Sequence, residues 1–175
     1  LRDKEGYDMI VVDPSPPLYA AGTVNIYSRD FFTLGLRRLK PGGLLAVWLL
    51  EWPETEFKMV LRGFLSAMPH TQVWRVSGEG GVILLGSDRP IEYDRGRVAE
   101  ILRRPEIRED LAEVGGGPVS EAEFSKLFMG AGRRFESYVS GSREVTDEFP
   151  WIEYPYFRSR TLAYLKHPAI FKWAP

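Results

Sequence analysis

The residue best placed for chemistry is Asp13. It ends a continuous apolar run, Met9-Ile10-Val11-Val12, and is followed by Pro14-Ser15-Pro16-Pro17. Such a run, rich in β-branched residues and without alternation, reads as a strand buried on both faces, as in a parallel sheet. In open α/β sheets ligands gather beyond the carboxyl ends of the strands, so a carboxylate there can face a crevice and accept a proton. The prolines stiffen the segment. Lacking N–H groups, they leave its carbonyls to accept from an incoming amine. The Asp-Pro pair is also a common turn former, and on position alone both readings stand. Glu51 and Trp52 follow a second apolar run, Leu44 to Leu50, and so fall near the same crevice. There they either line an amine pocket or cap the strand.

The other polar residues exclude more than they suggest. With no cysteine, disulfides, a thiol nucleophile and thiolate metal sites are ruled out, and a reducing compartment is compatible. His70 and His167 are isolated and lack ligand spacing, so no metal is expected. Ser15 has no plausible histidine partner for a hydrolytic triad. Glu153, between Trp151 and Tyr154, reads as a packing or surface residue. A net charge of −1 gives no global field for nucleic acid or an anionic membrane. Leu44 to Leu50, the longest strongly apolar run, falls far short of the roughly 20 residues that span a bilayer. No signal-peptide pattern is visible, and the first residue is Leu1 rather than Met, so the sequence reads as an excised domain or a processed chain. Aromatic residues reach 13%, with five Trp, and read first as core anchors.

The elements that must position these residues follow from periodicity. After the strand at Met9 to Val12 comes a loop from Leu18 to Tyr27, and then Ser28 reads as a helix N-cap with Asp30 in the first turn. Phe31, Phe32, Leu36 and Leu39 share a helical face, and Lys40-Pro41-Gly42-Gly43 stops the helix. Leu44 to Leu50 is a second buried strand. Phe57, Val60, Leu61, Phe64, Leu65 and Met68 form a helical stripe that Pro69 ends. Thr71 to Val76 and Val82 to Leu85 read as an antiparallel hairpin around Gly78 to Gly81. The alternation of strand and helix over residues 1–87 predicts part of an α/β sheet with helical crossovers. Residues 88–175 read as a second unit, a charged helical appendage followed by an extended tail. Helices are expected over Arg95 to Arg103, after Pro105, after the Ser120/Glu123 capping box, and over Arg133 to Val139.

Three stretches together carry a resemblance. They are Tyr7-Asp8-Met9-Ile10-Val11-Val12-Asp13-Pro14-Ser15-Pro16-Pro17, Asn25-Ile26-Tyr27-Ser28-Arg29-Asp30-Phe31-Phe32, and Leu39-Lys40-Pro41-Gly42-Gly43. They resemble the second half of spermidine synthases, the polyamine aminopropyltransferases. The tail from Val145 to Tyr154 is similar to an ending found in a bacterial subgroup in which this domain is fused to membrane or repeat segments. The resemblance implies the carboxyl-terminal half of a Rossmann-like, class I methyltransferase-type sheet. It implies aminopropyl transfer from decarboxylated S-adenosylmethionine to an amine such as putrescine, in polyamine biosynthesis. Asp13 matches the family's presumed general base, Ser15 a small hydroxyl position, and Tyr27 an aromatic of the loop lining the site. Asp13 and Pro14 are thereby expected beside the cofactor and Ser15 and Tyr27 beside the substrate, where the position of Glu51 and Trp52 after the second strand also puts them.

The sequence departs from the family pattern in two places. Pro14 replaces a first hydroxyl residue, and Pro16 stands where the family places a second aspartate that holds a cationic amine. A charge-assisted contact of that kind is worth roughly 1.5–3 kcal/mol. Only 12 residues precede Asp13, and they contain no glycine-rich cofactor turn after a strand. This segment alone is therefore expected to be inactive, with the activity belonging to an intact parent. Two rival readings are a methyltransferase using S-adenosylmethionine and a non-catalytic domain that keeps the fold. For the first, Asp13-Pro14-Ser15-Pro16-Pro17 with Tyr19 resembles the loop of amine methyltransferases. The expected partner is a small amine, with no nucleic acid and no membrane contact by this segment, in the cytoplasm or on the cytoplasmic side of a membrane-associated parent. The open edge of the first strand is expected to pair with another copy or chain.

Overall fold

The computed structural model describes residues 6–13, 23–49, 53–76, 81–113 and 120–153. The first strand, β1 (Tyr7–Val12), is the expected apolar run extended by two residues. A 3-10 turn (Thr23–Tyr27) leads into α1 (Arg29–Arg38). Ser28 caps α1 as its sequence position predicts, its hydroxyl accepting from the Phe31 N–H at 3.0 Å. The helix stops one residue short of Leu39, and β2 (Leu39–Leu49) begins at once.

β1 and β2 run parallel, with Ile10 opposite Leu45 and Val12 opposite Val47, and their register slips between Tyr7 and Met9. The slip absorbs Lys40-Pro41-Gly42-Gly43. Gly42 takes a positive φ of 79°, and a Cβ on Gly43 would lie 2.9 Å from the Tyr7 carbonyl oxygen and 3.0 Å from that of Lys40. Only glycine fits both needs, which is why the helix-stopping motif also builds the start of the strand.

Next come α2 (Glu54–Ala67) and the expected hairpin, β3 (His70–Arg75) and β4 (Val82–Ser87). β4 lies between β2 and β3 and antiparallel to both, and the full sheet order is β1-β2-β4-β3-β5. The architecture is the mixed α/β, open Rossmann-like sheet expected from the alternation of elements, with the hairpin at its end. α1 and α2 lie on one face. Phe32, Phe57, Val60, Leu61 and Phe64 from these helices pack on Leu45, Val47, Leu49, Val73 and Leu84 from the strands in one core. Phe32 and Phe64 meet edge to face at 5.0 Å.

Beyond the hairpin, α3 (Arg95–Ile101) and α4 (Pro105–Glu113) occupy the expected charged segment. The next stretch differs from its sequence reading. The helix capped by Ser120 ends after one turn, as α5 (Glu121–Phe124), and Phe128–Ala131 form a fifth strand, β5, antiparallel to β3. Trp74 is the reason. It gathers Tyr93, Phe124 and Phe128 at ring-centroid distances of 5.5, 5.2 and 5.0 Å on the second face of the sheet. Burying that large aromatic outweighs the weak helical preference of the segment. The region expected as a helix from Arg133 is a single 3-10 turn (Gly132–Phe135) followed by turns, with Phe135 and Val139 in the main core.

β1 is an edge strand. Its Met9 and Val11 are 51% and 65% exposed, and an apolar groove of about 360 Å³ runs beside it, lined by Tyr7, Ile10, Phe31 and Leu34. Among the described residues no helix is long and apolar enough to cross a membrane.

Candidate functional site

Because β1 and β2 are parallel neighbours, their carboxyl ends share one rim. Asp13 is the first residue past β1, exposed at that rim. Tyr27, which closes the 3-10 turn before α1, is only 1% exposed. Burial pushes its phenol well above the ordinary tyrosine range, and the Asp13 carboxylate pushes it in the same direction. Asp13 and Tyr27 are thus within electrostatic reach of each other. Pro14, Ser15, Glu51 and Trp52 lie outside the described residues, as does Pro16.

Ser28 follows Tyr27 and is fully buried. Its hydroxyl faces the Asn25 carbonyl at 2.9 Å and the Asp147 carboxylate at 2.5 Å. One hydroxyl proton serves one acceptor at a time, and the charged one makes the shorter contact. The Asp147 N–H donates to the Asp30 carboxylate at 3.0 Å, and the Arg29 N–H to the Val145 carbonyl at 2.8 Å. Glu144 accepts from Arg29 at 2.9 Å and from Ser66 at 2.6 Å, tying α1 to α2. The tail motif of the sequence therefore fastens the amino end of α1, one residue from Tyr27. Val145 and Ile152 are buried beneath it. Glu153 is half-buried in the turn that follows, and its side chain has no partner among the described residues.

A further acidic residue at this end escaped the sequence reading. Glu56, in the first turn of α2, is 8% exposed, and its Oε2 has no hydrogen-bond partner among the described residues. Acidic residues in a first helical turn ordinarily complement the helix dipole at the surface, so nothing in the sequence marks this one as buried. Nearby stands the Glu54 carboxylate, in the same first turn of α2. Burial first, and then this carboxylate, raise the Tyr138 pKa. Among the described residues no cluster of three or more His, Asp or Glu could hold a metal ion.

The fold and the rim define a class, an open α/β sheet of the methyltransferase type with a carboxylate at the carboxyl end of a parallel strand. Among solved structures, the chain is similar to a probable spermidine synthase from Corynebacterium glutamicum, with a TM-score of 0.50 and 22% identity over 80% of this chain. At that identity the likeness speaks to the fold. The match covers 47% of that neighbour, so the chain spans about half its length. No family model matches the sequence, and no curated protein does.

Proposed function

We propose that this chain carries the amine-activating half of an aminopropyltransferase site, with decarboxylated S-adenosylmethionine as the donor. The observation that carries the reading is the exposed Asp13 at the carboxyl-end rim of two parallel strands, within electrostatic reach of buried Tyr27. The fold shared with a probable spermidine synthase supports it. In the proposed step, the nitrogen lone pair of a neutral amine attacks the aminopropyl carbon next to the sulfonium sulfur. The new C–N bond forms as the C–S bond breaks, and the electron pair of the broken bond stays on sulfur, leaving neutral methylthioadenosine. The proton lost by the attacking nitrogen passes to the Asp13 carboxylate. Tyr27, packed in the core within electrostatic reach of that carboxylate, backs it with a neutral side chain that adds no charge.

Ser15, Glu51 and Trp52 are proposed to line the amine side of the crevice and Pro14 the nucleoside side. The reading places the domain in the cytoplasm, within polyamine biosynthesis. It also has the open edge of β1 pair with a strand from another chain or another part of the protein. Incubating the intact parent protein with methylthioadenosine should raise its melting temperature by mass action, and Asp13→Asn should sharply lower its transfer rate without abolishing that shift. A shift with S-adenosylhomocysteine and none with methylthioadenosine would replace this reading with methyl transfer. No response to either nucleoside would leave the fold without the chemistry.

A further inference from the structure

A second cavity lies at the end of the sheet opposite the rim. Thr71, near the start of β3, pairs with Gly86, and Gly86 pairs with Leu45 in the first half of the core of β2, whereas the rim lies past Leu49. Between the end of α2, the start of β3 and the turn after β5 is a space of about 380 Å³, enough for a small metabolite. Leu65, Met68 and Ile91 give it an apolar side. The Gln72 amide donates to the Ile91 carbonyl at 2.9 Å and so ties that wall to the sheet.

The polar side is Arg133 and Glu136, both exposed and both lining the cavity. They stand three residues apart on the 3-10 turn after β5, a spacing that puts two side chains on one face. Their charges are opposite, yet they form no ion pair with each other. Neither side chain has a hydrogen-bond or ion-pair partner among the described residues. Thr71 lines the same cavity, is 6% exposed, and its Oγ1 also lacks a partner among the described residues.

A ligand that covers Arg133 and Glu136 takes both charges out of water and must answer both. A plain carboxylate meets Arg133 but is repelled by Glu136, and a plain amine meets Glu136 but is repelled by Arg133. A molecule with an ammonium and a carboxylate on one carbon answers the two neighbouring side chains together. Its remaining substituent then meets Leu65, Met68 and Ile91, which favour a hydrocarbon. The Thr71 hydroxyl is a further donor in the wall.

We infer that this cavity binds a free α-amino acid with an aliphatic side chain, its carboxylate on Arg133 and its ammonium on Glu136. The site is separate from Asp13, and the inference does not rest on the transfer reading.

Calorimetric titration of the protein with L-leucine tests it, against 4-methylpentanoate, which lacks the ammonium, and 3-methylbutylamine, which lacks the carboxylate. Wild type should bind L-leucine about threefold to tenfold more tightly than either analogue, the scale of one exposed charge contact. Arg133→Gln should remove the advantage of L-leucine over the amine, and Glu136→Gln its advantage over the acid. Both side chains are exposed, so both variants should keep the wild-type melting temperature; should one not fold, the three ligands on wild type decide. No binding of L-leucine, an analogue that binds wild type as tightly, or an unchanged L-leucine affinity in either variant overturns the inference.

Discussion

At the scale of single residues, the site is a matter of which groups are kept neutral and which charged. Asp13 is exposed at the rim, the position the proposed proton transfer needs, whereas Tyr27 is sealed in the core. Under the proposed transfer, losing the carboxylate as a base should lower the turnover of the intact parent protein by about 10²–10⁴-fold, read as kcat of Asp13→Asn against wild type. Tyr27 and Tyr138 make a separate pH prediction. Their folded pKa values lie above the ordinary tyrosine value of about 10, so each holds its proton more tightly folded than unfolded. Their contribution is complete below the unfolded pKa and is lost as pH climbs towards the folded one. The melting temperature should therefore fall as pH rises above about 10, and less steeply in Tyr27→Phe. An equally steep fall in that variant would mean Tyr27 is not the titrating group.

At the scale of elements, two devices hold the rim in place. Gly43 lets β1 and β2 approach where their register slips. Its would-be Cβ meets only backbone oxygens, which cannot swing aside as a side chain can. Gly43→Ala should cost roughly 1–3 kcal/mol, the range for overpacking, measured by denaturant titration. Ser28 is the second device, because it caps α1 and anchors the tail through Asp147. Ser28→Ala should destabilise by about 1–2 kcal/mol, at the upper end for a lost cap. A double-mutant cycle with Asp147→Ala should show coupling of about 0.5–3 kcal/mol. Strictly additive losses would show that the tail is merely laid over α1.

At the scale of the whole molecule, the apolar edge of β1 is the feature most open to other chains. Natural sheets blunt such edges with charge, and a lysine should do so here. Val11→Lys should reduce self-association or strand pairing, seen as a smaller sedimentation coefficient, while leaving the Asp13–Tyr27 pair intact. An unchanged coefficient would argue that the edge is left to water.

The same scale shows how much was legible in advance. β1, α1, β2, α2 and the hairpin each announce themselves locally, through apolar runs, 3.6-residue spacing, a serine cap and glycine turns. Asp13 stood out in the same local way, by ending a strand, whereas Tyr27 was marked only by the family resemblance. By itself, then, the sequence determined the order of elements from β1 to β4, the parallel crossover and the carboxylate on the rim, because these depend on residues within a turn or two of one another. Tertiary structure alone decided that Phe128–Ala131 become a strand, that Asp147 reaches Ser28 across 119 positions, and that Glu56 is buried rather than solvated. Each of these depends on packing between segments far apart in the chain, and the free energy of such contacts leaves no local periodicity to read.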